Sequence, residues 1–166
     1  GRLGSVNVVD PDVAVVVSIG LDHMDWLGPD LESIGREKAG IFRAGRPAVF
    51  GTPEPPRSVR ERAQEIGARL QVRGTDFDGR LVGVACWDFI VGDRVALSAL
   101  PLPSLPGPIQ VANAATALMA LHQLRDRLPL SREAIERGLR SAQLPGPLQR
   151  LPDACVFEWV LDVAHN

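Results

Sequence analysis

Charged side chains cluster directly after an apolar segment near the start of the chain. Residues 13–19, VAVVVSI, are apolar and mostly β-branched, and residues 21–41, LDHMDWLGPDLESIGREKAGI, follow with Asp22, His23 and Asp25 close together. Parallel sheets place ligands at the carboxyl ends of their strands, because the loops there are free of the core. A histidine beside carboxylates is chemically able to bind a divalent ion or to position a phosphate. The alternative is a loop that only exposes its charges to solvent.

Lys38 is the only lysine of the chain, since the other basic residues are all arginines. In a helix that begins near Asp30, Lys38 falls on the apolar side. Burial favours the neutral amine of a lysine, and a neutral amine can take up carbon dioxide to form a carbamate, which is a carboxylate-like metal ligand. The alternative is a lysine whose stem packs while its ammonium reaches water. The residues predicted to share the apolar side are Leu31, Ile34, Lys38, Ile41 and Phe42.

The elements that must position these residues alternate between strands and helices. Residues 13–19 have the pattern of a strand buried on both faces, and residues 47–51 that of a second strand. One helix is predicted to begin at Pro29 and Asp30, and another to be capped by Ser58. The apolar stripe of that second helix is predicted to be Val59, Ala63, Ile66 and Leu70. This alternation predicts an α/β fold.

The pattern changes after residue 70. Short runs over 70–100, separated by GTDFDG and GDR, predict hairpin strands that extend the sheet in antiparallel or mixed fashion. Residues 100–108, LPLPSLPGP, are predicted to be irregular because proline lacks a backbone donor. Helices follow over about 110–125 and from a Ser131 cap to about 142, and a strand is predicted over 156–164. The predicted inward residues of the first of these helices are Val111, Ala115, Leu118 and Leu121.

Composition excludes several classes of protein. The chain has 166 residues, 45% of them apolar, and a net charge of -2, which favours a globular protein without affinity for nucleic acid or an anionic membrane. Its apolar runs are shorter than the roughly 18 residues of a membrane helix, so a cytoplasmic protein is predicted. Cys86 and Cys155 lack the spacing of a zinc site and are predicted to be buried thiols.

Three segments together resemble a known family. They are residues 1–51, GRLGSVNVVDPDVAVVVSIGLDHMDWLGPDLESIGREKAGIFRAGRPAVFG, residues 113–118, NAATAL, and residues 161–166, LDVAHN. The chain resembles the bifunctional dihydrofolate synthase and folylpolyglutamate synthase family of the Mur ligase superfamily. The resemblance implies an α/β fold: part of a mostly parallel-sheet P-loop-type ATPase domain, the Mur ligase central domain, with a β-rich extension, plus the start of a Rossmann-like C-terminal domain.

The resemblance also implies domain boundaries. Residues 1–144 would be the second half of the central ATPase domain, residues 145–152 the interdomain linker, and residues 153–166 the first strand of the C-terminal glutamate-ligase domain. No G-x-x-G-K-[ST] motif occurs in the sequence, so the phosphate-binding loop is expected in an amino-terminal portion before Gly1. The chain alone is therefore expected to be an inactive fragment.

The resemblance assigns catalytic and metal-binding roles to two residues. The histidine of LDH is a magnesium ligand, which corresponds to His23. The lysine of REKAG is carbamylated and helps to hold the metal and the substrate phosphate, which corresponds to Lys38. Both are therefore expected to serve as catalytic and metal-binding residues.

Further residues are implied to bind the nucleotide. Asn113, which opens NAATAL, is expected to contact the adenine of ATP, although it can also satisfy the backbone at a helix start. Asp162 and His165 of DVAHN are expected to meet the nucleotide from the C-terminal domain. Arg150 is a possible substitute for an arginine that the family places near the phosphates. His122 matches no family residue and is predicted to be a surface or packing histidine.

The implied reaction is an ATP-dependent ligation through an acyl phosphate. ATP, with Mg2+ as cofactor, phosphorylates a carboxylate, and the amine of L-glutamate then displaces phosphate. The acceptor would be dihydropteroate or a folate. The parent protein is expected to be a monomer whose partners are small molecules, without nucleic acid or membrane.

Two departures keep other functions open. Gly4 stands where the family has Asp in GRLDATN, and Pro147 stands where it has Arg in PGR. The alternatives are a non-catalytic relative that binds nucleotide or folate, or another Mur-type amino-acid ligase. A hydrolase with two metals bridged by a carbamylated lysine is disfavoured. Such sites usually draw on several histidines at strand ends, and the whole sequence has only three histidines.

Overall fold

The computed structural model describes residues 9–19, 30–143, 149–151 and 159–161. In chain order the elements are β1 (Ala14–Val16), α1 (Leu31–Lys38), β2 (Pro47–Phe50), α2 (Arg57–Ile66), β3 (Arg69–Val72), β4 (Phe77–Val82), β5 (Cys86–Val91), β6 (Arg94–Pro101), α3 (Gln110–Gln123), α4 (Arg132–Ser141), β7 (Gln149–Leu151) and β8 (Trp159–Leu161). A 3-10 turn, Ala39–Ile41, continues α1. The α/β prediction is confirmed.

The first three strands form a parallel sheet in the order β1-β2-β3. All four residues of the central strand β2 are buried, as expected when helices cover both faces of a parallel sheet. β1 is shorter than the predicted 13–19 strand, because it leaves the sheet after Val16 and Val17 is 50% exposed.

The two faces of this sheet build two separate cores. Ala48 and Phe50 point into the first core with Val59 and Ala63 of α2. Val49 points the other way, into a second core with Ala115 and other residues of α3. Successive strand residues face opposite sides, so one short strand supplies both cores.

The predicted hairpins form a sheet of their own. β4, β5 and β6 pair antiparallel, in that order. Trp87, Phe89 and Leu100 from this sheet fill the second core, and the indole N–H of Trp87 donates to the carbonyl of Pro101 at 2.9 Å. The prediction that these strands extend the first sheet was wrong for the described residues, where β1-β2-β3 and β4-β5-β6 are distinct sheets that share a single isolated β-bridge, Arg73–Phe77.

Both later helices were predicted correctly. Ala115 and Leu118 of α3 are buried, and Val111 and Leu121 pack at the edge of the same core. Ser131 caps α4, because its hydroxyl oxygen accepts from the Ala134 amide at 3.2 Å.

Two details of α2 differ from prediction. Ser58 is not its cap, since the helix begins at Arg57 after Pro56 and Ser58 lies inside the first turn. Leu70 is not in the helical stripe, because Gly67 takes a left-handed conformation with φ of 67° that ends the helix. Leu70 instead belongs to β3, where it pairs with Ala48.

The remaining predictions concern Cys86 and the end of the chain. Cys86 is unbridged but half-buried rather than buried, and Cys155 lies outside the described residues. β8 falls within the predicted 156–164 strand and pairs antiparallel with β7, which lies in the segment predicted as a linker.

Candidate functional site

Lys38 is the last residue of α1, a helix with a strong start signal. Asp30 caps α1, since its carboxylate accepts from the Ser33 amide at 2.7 Å. That hydrogen bond holds the pKa of Asp30 below its usual range. The cap fixes the first turn of the helix, and Lys38 follows two turns later.

The surroundings of Lys38 match the predicted helix face only in part. Ile34 is fully buried, as are Ala39 and Phe42 just after α1. Lys38 itself is half-buried. Leu31 was predicted to share the buried side but is 45% exposed, because the first turn of α1 extends beyond the core. Lys38 therefore lies between the buried residues Ile34 and Ala39 in the sequence and keeps partial access to solvent.

α1 is docked on α2 by a reciprocal set of hydrogen bonds. The Glu32 carboxylate accepts from the backbone amides of Arg57 at 3.0 Å and Ser58 at 2.7 Å, and the Ser58 hydroxyl donates to the Glu32 carbonyl at 2.7 Å. The bond from the Ser58 amide is the main reason that the pKa of Glu32 is lowered. These contacts join residues 25 or 26 positions apart in the sequence.

The carboxyl edge of the parallel sheet gathers polar groups that the sequence did not single out. The Gly51 amide donates to the Val16 carbonyl at 2.9 Å, and Gly51 packs against the side chain of Thr116. The Arg73 guanidinium donates to the Gly51 carbonyl at 2.8 Å and to Asp78 at 3.1 Å. The only sequence signal was their position directly after β2 and β3.

Asn113 lies in the first turn of α3. Its side-chain amide donates to the Gln110 side chain at 3.3 Å, and its backbone amide donates to Ile109 at 3.0 Å. Asn113 and Gln110 line a cavity of about 340 Å³ between α3 and α4 whose other walls are almost wholly apolar. A mostly apolar cavity with two side-chain amides can hold a flat ring with a polar edge.

The described candidates lie on three different elements. Lys38 ends a helix on the first-core side of the parallel sheet, and Asn113 begins one on the second-core side. Arg150 lies in β7, opposite Val160 of β8. His23, Asp162 and His165 lie outside the described residues. Among the described residues, no three His, Cys, Asp or Glu side chains could together hold a metal ion.

His122 is a packing residue, as predicted. Its ring meets Phe89 edge to face at 6.4 Å. Burial, with a smaller contribution from Arg125, lowers the pKa of His122. The folded state therefore favours the neutral form of the His122 ring.

Comparison with known proteins finds close sequence relatives of this chain. The chain is 50% identical over 167 residues to the dihydrofolate synthase/folylpolyglutamate synthase of Escherichia coli (strain K12), an alignment that covers 100% of this chain and 37% of the relative. The chain is homologous to the dihydrofolate synthase/folylpolyglutamate synthases. No family model matches it.

Solved structures of these synthases superpose closely on this chain. E. coli FolC in complex with DHPP and ADP matches with a TM-score of 0.86 and 49% identity, covering 100% of this chain and 38% of that one. A bifunctional folylpolyglutamate synthase/dihydrofolate synthase with Mn, AMPPNP and L-glutamate bound matches at 0.84, with 49% identity and the same coverage. This chain thus spans somewhat more than a third of the length of these relatives. In the part of the chain that the structure describes, no helix is both long and apolar enough to cross a membrane.

Proposed function

We propose that this chain is part of an ATP-dependent ligase that adds L-glutamate to dihydropteroate, to folates, or to both. The observation that carries the proposal is 50% identity along the whole chain to a dihydrofolate synthase/folylpolyglutamate synthase. Structural neighbours with ADP and DHPP, or with AMPPNP, Mn and L-glutamate, support the same substrate classes.

The proposed reaction has two steps. A carboxylate oxygen of the pterin substrate attacks the γ-phosphorus of ATP, and the bond to ADP breaks to leave an acyl phosphate. The glutamate amine then attacks the acyl carbon, the bond to phosphate breaks, and an amide forms with loss of a proton. Positioning and electrostatic stabilisation supply most of the catalysis in phosphoryl transfer.

Lys38 is the residue on which this assignment can be tested most directly. Its neutral amine would attack carbon dioxide, lose a proton and become a carbamate, which carries a negative charge. The half-buried position at the end of α1 supports this, since the side chain lies next to buried residues of the chain and remains reachable by carbon dioxide. The carbamate would help to hold the substrate phosphate in place.

His23 and the Lys38 carbamate would hold a divalent ion, which would offset the charge of the phosphate oxygens when bound. Asn113, which lines a mostly apolar cavity, would contact the adenine. Asp162, His165 and Arg150 would meet the nucleotide from the far side of the cleft. These roles fit a central-domain portion at 1–144, a linker at 145–152 and a C-terminal strand at 153–166.

The test uses the longer protein that contains this chain, here called the full-length protein. ADP release is measured with ATP, L-glutamate and dihydropteroate or a reduced folate, omitting one substrate at a time. We expect release only when the amino acid and the pterin carboxylate are both present. Release that does not depend on either substrate would contradict the ligase assignment.

A non-catalytic relative is the second candidate, and Pro147 is the observation that favours it. The family has an arginine at this place in its PGR motif, and a proline cannot pair with a phosphate. If the full-length protein binds ATP without turnover and Pro147→Arg restores substrate-dependent ADP release, this second function is correct for the natural sequence. Turnover by the natural sequence excludes it.

A further inference from the structure

α1 is too short to hold its conformation and orientation without contacts to other elements. It has eight residues, and isolated helices shorter than about 12–15 residues are marginal in water. Its placement must therefore come from contacts with the rest of the protein. Those contacts are concentrated on α2.

Glu32 and Ser58 provide the polar part of these contacts, which we call the Glu32–Ser58 clamp. The Glu32 carboxylate accepts from two successive amides at the start of α2, at 3.0 and 2.7 Å, and the Ser58 hydroxyl returns a bond to the Glu32 carbonyl at 2.7 Å. Ser58 is only 3% exposed. A carboxylate that accepts from the amides of a helix start is favourably placed, because that end carries partial positive charge.

Gly35 provides the steric part. A β-carbon at Gly35 would lie 2.8 Å from the Ser58 hydroxyl oxygen and 3.1 Å from side-chain atoms of Pro56 and Val59. A side chain at position 35 would therefore collide with side chains at the start of α2 unless those side chains shift. Glycine avoids this collision and so suits the close contact between the two helices.

The clamp acts on the helix that ends at Lys38. Lys38 lies about 9 Å along the axis from Glu32, at about 1.5 Å per residue. It is three positions after Gly35, so the two share a side of α1. The clamp therefore sets how α1 is rotated about its own axis, and a change in that rotation would displace the Lys38 side chain, which projects from the same side.

We propose that Glu32 and Ser58 are positioning residues for Lys38. They set the direction of α1 so that the Lys38 side chain reaches the reacting phosphate. This inference rests on the proposed role of Lys38. Neither Glu32 nor Ser58 needs to touch a substrate.

The test compares Ser58→Ala and Glu32→Gln with the wild type in the full-length protein. Glu61→Gln is the matched control, because it removes an exposed ion pair to Arg57 on the same helix and leaves the clamp intact. We expect kcat to fall on the order of ten- to hundredfold in the clamp variants, since small misplacements in catalytic sites have effects of that size. KM for ATP and glutamate should change little, and the control should match the wild type.

A second readout follows the modification itself. With 13C-labelled bicarbonate, the carbamate signal that is absent in Lys38→Ala should weaken in the clamp variants in the same order as kcat. The inference would be overturned if Ser58→Ala had the kcat of the wild type. It would also be overturned if Glu61→Gln lost as much kcat as the clamp variants. Ser58→Ala removes one hydrogen bond and no charge, so it decides the question if Glu32→Gln does not fold.

Failure of the proposed function gives a different result. A wild type without substrate-dependent ADP release, or without a carbamate signal, would remove the role of Lys38 before any clamp variant is considered. A wild type with both properties and clamp variants identical to it would overturn only the positioning role.

Discussion

Gly35 of α1 faces Ser58 of α2 with no room for a β-carbon between them, since that atom would lie 2.8 Å from the Ser58 hydroxyl oxygen. Ser58 is held in place by its own bond to Glu32. The approach of two helices thus depends on one residue without a side chain.

Gly35→Ala should destabilise the protein even though alanine favours helices over glycine by about 1 kcal/mol. The added atom meets Ser58, Pro56 and Val59, so the helices must separate. Gly138→Ala in α4 is the matched control, because nothing lies within 4 Å of a β-carbon there. The control should be stabilised by about 0.5–1 kcal/mol. Midpoints of thermal unfolding would compare the two.

If Gly35→Ala proves as stable as the wild type, or behaves as Gly138→Ala does, the close approach of α1 and α2 is not a packing constraint.

Much of the fold could be predicted from local patterns, and several of the errors came from contacts distant in sequence. The helix start at Asp30 and the Ser131 cap are local, and both were predicted. Ser58 also has the residue type of a cap, but Glu32, 26 residues earlier, satisfies the amides at the start of α2 instead. A single sequence does not show that pairing. The exposure of Leu31 likewise depends on where the neighbouring core ends, which helical periodicity does not reveal.

Arg73 ties the carboxyl edge of the parallel sheet to the antiparallel sheet, through Gly51 and Asp78. Arg73→Met keeps most of the packing of the stem but leaves the Gly51 carbonyl without this donor. We expect a loss of about 1–3 kcal/mol in the free energy of unfolding, the usual cost of a buried group without its partner. Urea denaturation measures it.

Asp78→Asn tests which half of the Arg73 contact matters. Asp78 is 40% exposed, so loss of its charge should cost no more than about 1 kcal/mol. A cost equal to that of Arg73→Met would show that the ion pair, and not the bond to Gly51, stabilises this edge.

His122 should make the protein less stable in acid. Burial lowers the pKa of His122 in the folded state below 6.5, so the unfolded chain binds the proton more readily. The stability that the neutral ring contributes is therefore present above about pH 6.5 and lost as the pH falls through the lower folded pKa. In the His122→Leu variant, the side chain at this position has no group that can be protonated. The difference in Tm between about pH 5 and pH 7.5 should be smaller in the variant than in the wild type.

An unchanged pH dependence of Tm in His122→Leu would show that the acid sensitivity arises from other groups.

The candidate site was less predictable than the fold. Lys38 could be singled out because it is the only lysine and lies at the end of a well-capped helix. Arg73 and Thr116 could not, since arginine is the usual basic residue of this chain and a helical threonine has no distinctive pattern. Arg73 lies beside Gly51 because β3 pairs with β2, and Thr116 does so because α3 packs against β2. His23, Asp162 and His165 lie outside the described residues, so their roles remain predictions from the family.

Replacement of Lys38 tests the central claim most directly. Substrate-dependent ADP release is measured for the full-length wild type, Lys38→Ala and Lys38→Arg, with and without added short carboxylic acids. Arginine keeps the positive charge but is not deprotonated in proteins, so it cannot form the carbamate. We predict that both variants lose most of the wild-type rate and that short carboxylic acids partly restore Lys38→Ala. Wild-type rates in either variant would contradict the account.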